Sequence, residues 1–512
     1  MPRTTPNPVV RAGAALAALL ACAAPAAAQQ APAGLTLDQA VSSALQGNKE
    51  VLTARAQLTG GRGELLSASA PFDVQLDAQV RGVQDSRFLT TQSGTLASDA
   101  TVSRSTAYTL SATRQLRSGV VVAPSVGVTR TTVAGAQVAD AASTVNLAVV
   151  LPLLRDRGGR AVSAPERAAR AGFQAYNAGV RQGVILGAAD AAVDYWDYVA
   201  AQSKLQVMAG AEARAARLVD ETRRLVEADE RPRADLDAVS ANLANRRAGR
   251  IAAEQALAAA RRALGAVMGL EPLQIETLPA PVTPFPTPAA WVPDSAETRR
   301  LVEAALVRRP DLEAAALQLR AAEIMAEGTR SQLKPRLDVR VEVGYTGRQL
   351  GPAAAGQLVR PLWESVPGVN AGVRVDYQLP VQNRDARGAV LQREALVEEQ
   401  RITTRDQRVR AVSGVIGAVQ TLASSAAQLS EAERAVGLYR AAVEHEREKN
   451  RLSAGTLFDV TYAEDNLTSA ELAVVDAQLA HAHALLTIRL VTGTVLDPQT
   501  GTVNADAFVT RP

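Results

Sequence analysis

Cysteine and histidine are almost missing from this chain of 512 residues, which has one cysteine, Cys22, and three histidines, His445, His481 and His483. A lone thiol forms no internal disulfide, and so sparse a set offers no ligand cluster for a metal. His481 and His483 stand two residues apart on a helical pattern, so they face different ways and do not chelate together. Aromatics make up only 3% of the chain, which argues against an exported polysaccharide-acting enzyme with an aromatic-lined cleft. No Gly-x-Ser-x-Gly elbow and no phosphate-cradling glycine loop occurs. Gly158-Gly159 after Asp156-Arg157 reads as a strand-to-helix turn. With 55 basic against 52 acidic residues there is no basic stripe for nucleic acid. No residue in the sequence stands out as catalytic, cofactor-binding or metal-ligating. After residue 28 no apolar run reaches the roughly 18 residues of a membrane-spanning helix, which leaves a β-barrel as the one way to cross a membrane.

What is abundant is small and helix-forming. Hydrophobic residues are 47% of the chain, much of this alanine, which suits long thin helical packing better than a thick core. Residues 1–28 read as a signal peptide: Arg3 and Arg11 are its basic region, Ala12 to Ala24 its apolar core, and Ala26-Ala27-Ala28 its cleavage site. Cys22 falls inside it. Leu19-Leu20-Ala21-Cys22 approximates a lipoprotein cleavage box, and the plainer alternative is a small apolar residue in the signal core.

The pattern then runs through twice. The stretch from Ala44 through Lys49-Glu50-Val51 to Leu58 returns from Ala305 through Pro310-Asp311-Leu312 to Leu319, with Ala, Leu, an acid, an aliphatic, Ala, Gln and Leu at matching places. Each copy reaches a proline, Pro71 or Pro335, and then alternates. Asn242-Leu243 and Gly269 match Asn466-Leu467 and Gly493. Between the halves, Pro272 to Pro293 holds seven prolines. Each half therefore predicts helices, strands, a very long helix, a turn and another long helix.

Two periodicities fill this outline. Met208, Ala211, Ala215, Leu218, Thr222 and Leu225 step by three and four, as do Leu236, Val239 and Leu243, until Arg246 and Arg250 interrupt. The last helix carries two such seams, one from Ala463 and Leu467 to Val491, the other Leu472, Val475, Leu479, Ala482 and Leu486. A two-seamed helix has a neighbour on each side, in a ring or in an antiparallel bundle. Val74, Leu76, Ala78 and Val80 alternate with Asp73, Gln75, Asp77, Gln79 and Arg81. Val339 to Val343 and Val373 to Tyr377 alternate likewise, as strands between lipid and a polar lumen do. Tyr108, Tyr345, Trp363 and Tyr377 are candidates for an interfacial girdle.

With its Leu35-Thr36-Leu37-Asp38-Gln39-Ala40 opening, Leu151-Pro152-Leu153-Leu154 and Leu379-Pro380-Val381 before the long helices, and Gly455-Thr456-Leu457-Phe458-Asp459-Val460 at the second turn, the chain resembles the TolC or outer-membrane-factor family. The resemblance covers essentially the whole chain after the signal peptide. It implies a mixed α and β membrane protein, internally duplicated, with a long α-helical coiled-coil barrel and a transmembrane β-barrel completed by homotrimerisation. Each subunit would give four strands to a barrel of twelve. The implied map is 1–28 signal peptide, 29–71 first-repeat helices, 72–153 first-repeat strands with an extra hairpin, and 154–270 first helical hairpin. It continues with 271–295 equatorial linker, 296–334 second-repeat helices, 335–381 second-repeat strands, 382–493 second helical hairpin and 494–512 equatorial tail. The extra hairpin, Thr106 to Leu116 and Val120 to Arg130 around Arg117-Ser118-Gly119, reads as a long external excursion or as an extension of the barrel strands.

The implied function is passive conduction in a tripartite efflux or type I secretion system. The protein would lie in the outer membrane, reach into the periplasm, and have a periplasmic adaptor and an inner-membrane pump as partners. No enzyme activity and no cofactor is implied. The turns at 228–234 and 453–459 would form the periplasmic tip and gate, where Asp229, Glu230, Asp235, Gly455, Asp459, Glu464 and Asp465 stand. Threefold repetition would make an acidic, cation-selective ring, with Asp459 its leading residue; the alternative is an ordinary solvated turn with acids near helix starts. The first turn has Asp229-Glu230-Arg231-Pro232 in place of the family's Val-Gly-Leu-like stretch. A pore-less periplasmic or surface coiled-coil spacer accounts for the seams, but not for the strands.

Overall fold

The computed structural model describes residues 34–90, 96–136, 138–288, 293–351, 366–452, 454–496, 502–503 and 508–510. The expected signal segment with Cys22, Trp363 and Ser453 lie outside them.

Helix α1 (Leu37–Gly47) opens with a capping box between Thr36 and Gln39. Asn48 ends it and caps α2 (Lys49–Ser69) through its side chain. Strands β1 (Val74–Thr90), β2 (Leu96–Gln115), β3 (Val121–Val133) and β4 (Ala139–Pro152) follow. Helix α3 (Ala164–Glu227) is 64 residues, about 96 Å at 1.5 Å per residue. Its one proline, Pro165, sits in the first turn, where the missing N–H costs nothing. Helices α4 (Arg233–Val267) and short α5 (Pro272–Glu276) complete the first half. The second half runs α6 (Ser295–Arg308), α7 (Pro310–Arg330), β5 (Arg336–Gly351), β6 (Val366–Gln378), α8 (Arg384–Arg451) and α9 (Leu457–Thr492). The element order thus recurs, with two more strands in the first half. Among the described residues no helix is long and apolar enough to cross a membrane.

The helical seams pack as their spacing predicts. Leu218, Val219, Leu236, Val239 and Leu243 meet between α3 and α4. On α9, Ala463, Leu467 and Ala470 pack against Val436 and Val443 of α8. Farther along, Leu479, Ala482 and Leu486 join a core shared with α1, α3 and α4. That core gathers much of the scarce aromatic content. Trp196 is fully buried, edge-on to Tyr195 at 5.5 Å and stacked on Phe285 at 5.6 Å. Tyr195 donates its hydroxyl to the Leu35 carbonyl (2.9 Å) and accepts from the Thr283 amide (3.0 Å). The proline-rich stretch is therefore a strap held across α3, paired with the chain start through Leu35 and Pro281. Phe508, near the chain end, is buried in the same core.

The sheet departs from the family expectation. Among the described residues it has six antiparallel strands in the order β1-β2-β3-β4-β5-β6, not four. The extra hairpin is neither an external excursion nor an extension of neighbouring strands. Val74, at the helix-side start of β1, pairs with Arg114 of β2. Val121 of β3 pairs with Val150 of β4. The turn at Arg117-Ser118-Gly119 therefore lies at the helical end, and β2 and β3 stand between β1 and β4 as full members of the wall.

Candidate functional site

Register gives the sheet two unlike faces, since side chains alternate along a strand while cross-strand partners share a side. Following the partners of Leu76, Ala78 and Val80 across the sheet leads to Ala112, Leu110 and Tyr108, then to Pro124, Val126 and Val128, with Arg114 and Val122 beyond them at the helical end. The same face continues through Val145, Leu147, Val149 and Leu151 into Val339, Val341, Val343 and Tyr345. It ends at Val369, Ala371, Val373, Val375 and Tyr377. The opposite face carries Gln75, Asp77, Gln79 and Arg81 at one edge and Asn370, Arg374, Asp376 and Gln378 at the other. The apolar face is exposed in the single chain, Leu76 at 73% and Val373 at 71%. Pro124, which has no N–H to donate, sits where the β2–β3 pairing is interrupted between Ser111↔Ser125 and Arg114↔Val122.

Three of the girdle candidates lie on this apolar face. Tyr377 is level with Leu337 at the helical end of β5. Tyr345 lies eight residues farther along that strand, about 26 Å at 3.3 Å per residue. On strands tilted about 40° that is about 20 Å along the membrane normal, within the height of a lipid-facing band of about 25 Å.

The helix-side turn of the extra hairpin is pinned to the start of α3. Arg117 makes a two-pronged ion pair with Glu166, at 2.7 and 2.9 Å, and stacks on Phe72 at 4.8 Å. Arg170 adds a second contact to Glu166 at 3.3 Å. The Arg117 hydrogen bonds hold the Glu166 carboxyl below its usual range, against burial that pushes it up. Gly159, at φ +74°, lets the Arg117 carbonyl approach to 1.8 Å from where a Cβ would stand. This clamp escapes sequence reading, because Arg117 and Glu166 are 49 positions apart and neither belongs to a motif.

At the far end of the hairpins, the predicted tip residues divide into two groups. Asp229, Glu230 and Asp459 are exposed and Gly455 half-buried, at the two turns. Asp229 holds the left-handed conformation (φ 56°) that ends α3. The amides of Asp229 and Glu230 return to the carbonyls of Val226 and Leu225, the pattern of a Schellman cap. Asp459 closes a capping box with Thr456 at the start of α9, and those hydrogen bonds lower its pKa. Asp235 pairs with Arg231 at 3.5 Å.

Glu464 and Asp465 belong instead to a network joining the two hairpins. Arg214 of α3 reaches Glu464 at 2.7 Å, Thr468 at 3.2 Å and Glu471 at 3.2 Å, all on α9. Arg447 of α8 meets the other Glu464 oxygen, and Arg440 meets Glu471 at 3.4 Å. Arg246 of α4 pairs with Asp465. Burial and the nearby Arg214 charge lower the Arg246 pKa. At the turns, Arg231 donates to the Asn450 side chain at 2.6 Å. The network borders a cavity of about 660 Å³ between the hairpins. The arginines that break the predicted α4 seam are thus its electrostatic contacts: Arg246 holds α9, and Arg250 holds Glu212 on α3 at 2.6 Å. Their interruption of the seam was the only sequence signal for these links. His481 is buried and hydrogen-bonded to Ser425 at 3.0 Å, while His483 is 3.5 Å from Asp197. Among the described residues no group of three His, Cys, Asp or Glu side chains could hold a metal.

A sheet with one apolar and one polar face above helical hairpins of this length defines the outer-membrane channel class of fold, and solved structures agree. The chain is similar to the outer-membrane channel OprN (TM-score 0.66, 17% identity, 89% of each chain covered). It is also similar to the CmeC outer membrane channel of Campylobacter jejuni (TM-score 0.67, 14% identity, 89% of this chain and 85% of that one). A third likeness is to the outer membrane protein VceC of Vibrio cholerae (TM-score 0.65, 16% identity, 89% and 96%). Residues 301–494 match the family described as outer membrane efflux protein, so the resemblance read from the sequence is shown over this part of the second half. That family is one of channels, not enzymes. No curated protein matches the chain.

Proposed function

We propose that this protein is one subunit of a trimeric outer-membrane channel, which conducts exported cargo passively from a periplasmic adaptor and an inner-membrane pump to the exterior. The observation that carries this reading is the two-faced sheet joined to helical hairpins whose long arms, α3 and α8, each run about 100 Å. In lipid, every backbone group needs a partner, so an open sheet with two bare edges is stable there only when other subunits close it. The two seams of α9 and the recurring element order favour a ring of hairpins built from a duplicated unit.

The tip is the gate in this proposal. Arg214, Arg231 and Arg246 tie the first hairpin to Asn450, Glu464, Asp465 and Glu471 of the second, and parting the hairpins would break these contacts. Asp229, Glu230 and Asp459, repeated around the axis, would supply an acidic entrance favouring cations. A pore-less spacer would have no use for an exposed apolar sheet face of membrane height. Planar-bilayer recording of the purified protein tests the reading: the expected result is cation-preferring conductance that Asp459→Ala makes less selective. A pure, folded preparation that opens no channel overturns it.

A further inference from the structure

We infer that three copies close a β-barrel of eighteen strands, by pairing β1 of one copy with β6 of the next. This rests on the trimeric channel proposed above and concerns the width of its outer end. Each copy brings six strands in one uninterrupted meander. The added strands are not an appendage to the wall. Tyr108, Leu110, Val122, Val126 and Val128 lie on the same apolar side as Leu76 and Val343, in unbroken register from β1 to β6. Taking β2 and β3 out of the wall would break the long pairings of β1 with β2 and of β3 with β4.

The hairpin is also fixed against sliding outward. Its turn is held at the helical end by the Arg117–Glu166 ion pair. Gly119 lies against the Asp156 carbonyl and Gly159 against that of Arg117, with little room at either for a side chain.

The two free edges suit one another. Successive strands of the meander alternate in direction, so β1 and the sixth strand run in opposite senses and meet antiparallel when copies are set side by side. The apolar face continues to both edges, with Leu76 exposed at 73% on one and Val373 at 71% on the other. Pairing the edges makes one apolar belt. The polar side, with Asp77, Arg81, Glu342, Arg340, Arg374 and Asp376, then becomes the lumen lining, and its mixed charges exclude solutes by size more than by sign.

Strand number sets the bore. With strands roughly 4.8 Å apart and tilted about 40°, twelve give a backbone diameter of about 24 Å and eighteen about 36 Å. The wider figure belongs to barrels that enclose an open aqueous channel.

The test is cross-linking in native outer membranes with a flexible bismaleimide that tolerates several residues of stagger. Gln79→Cys on β1 is combined with Gly372→Cys on β6; both lie on the polar face, and Gly372 has open space around it. Cys22 does not interfere, being cleaved off in one reading and acylated in the other. The expected product is a covalent trimer from the double variant and none from either single variant. Cross-linking of Gly372→Cys to Ser125→Cys on β3 in place of Gln79→Cys would mean that β1 and β2 leave the wall, and would overturn the inference. So would the absence of β1–β6 product from correctly assembled protein. Electron-microscopic imaging of the unmutated channel guards against a folding defect in the variants: a barrel about 36 Å across supports eighteen strands, and one about 24 Å across refutes them. A conducting channel with the narrower barrel defeats this inference alone, whereas a protein that never conducts defeats the channel reading.

Discussion

Arg214→Met is the most informative perturbation of the tip. It keeps the apolar stem of the side chain and removes the guanidinium. Arg214 is 18% exposed and its partners Glu464 and Glu471 are each 15% exposed, so the contacts are neither solvent-screened nor wholly dry. An exposed pair is worth about 0–1 kcal/mol, and breaking a buried one costs about 3–5 kcal/mol. Both glutamates keep a second arginine, Arg447 and Arg440, which limits the loss. The expected cost is therefore about 1.5–3 kcal/mol. If the contacts exist only while the hairpins are together, the whole cost falls on the closed state. At about 1.4 kcal/mol per factor of ten, the ratio of open to closed channels rises roughly 10- to 150-fold. Single-channel open probability in planar bilayers reads this directly. Glu464→Gln and the double variant complete a cycle that isolates the pair. An unchanged open probability, with a coupling energy below about 0.5 kcal/mol, refutes the assignment of this network to the gate.

The other predictions concern stability. Trp196→Ala empties the centre of the core shared by α1, α3 and α9, and should cost about 3–5 kcal/mol in urea unfolding. Gly159→Ala places a Cβ 1.8 Å from the Arg117 carbonyl at φ +74°, and should cost about 2 kcal/mol or more by the same measurement. Asp229→Gly removes a side chain from a left-handed residue at an exposed cap, and should raise stability by about 0.5–1 kcal/mol, read as a higher urea midpoint. Glu166 has a lowered carboxyl pKa because Arg117 binds its charged form. Its contribution is complete above the pKa of an unfolded glutamate and is lost as pH falls through the lower folded value. Glu166→Gln should therefore flatten the acid limb of a stability-versus-pH curve and lower its neutral and alkaline side by a constant amount, without changing the slope there.

Much of the helical architecture was legible because its causes are local. The stepping of Leu236, Val239 and Leu243, the single early Pro165, and Thr456 with Asp459 at the start of α9 each act within a few turns of chain. The tip was half legible for the same reason. Its acids stand near helix starts and can be found by position, but Arg214 and Arg246, which tie Glu464 and Asp465 to the first hairpin, lie more than 200 residues away, and the sequence offers only the intrusion of Arg246 into an apolar seam. Trp196 and Phe285 likewise meet across the proline-rich strap, a contact that no periodicity encodes.

The sheet makes the same distinction in a sharper way. Alternation along Val74 to Arg81 identifies which side of a strand is apolar, because that property belongs to one strand. Strand neighbours and strand number belong to the whole sheet. The stretches around Thr109 and Gly127 alternate poorly, being rich in threonine, serine and glycine, so β2 and β3 read as an extra hairpin whose place in the sheet is not given. Their place comes from what flanks them. Val74 and Val149 both take partners from the extra hairpin, Arg114 and Val122, and Arg117 fastens its turn to Glu166 beside the strand that enters α3. Weakly patterned segments become wall strands when both neighbours are strongly patterned and the turn between them is fixed. The departure from four strands to six thus rests on the pairing of β2 with β1 and of β3 with β4, and it bears directly on how wide a channel three such chains would enclose.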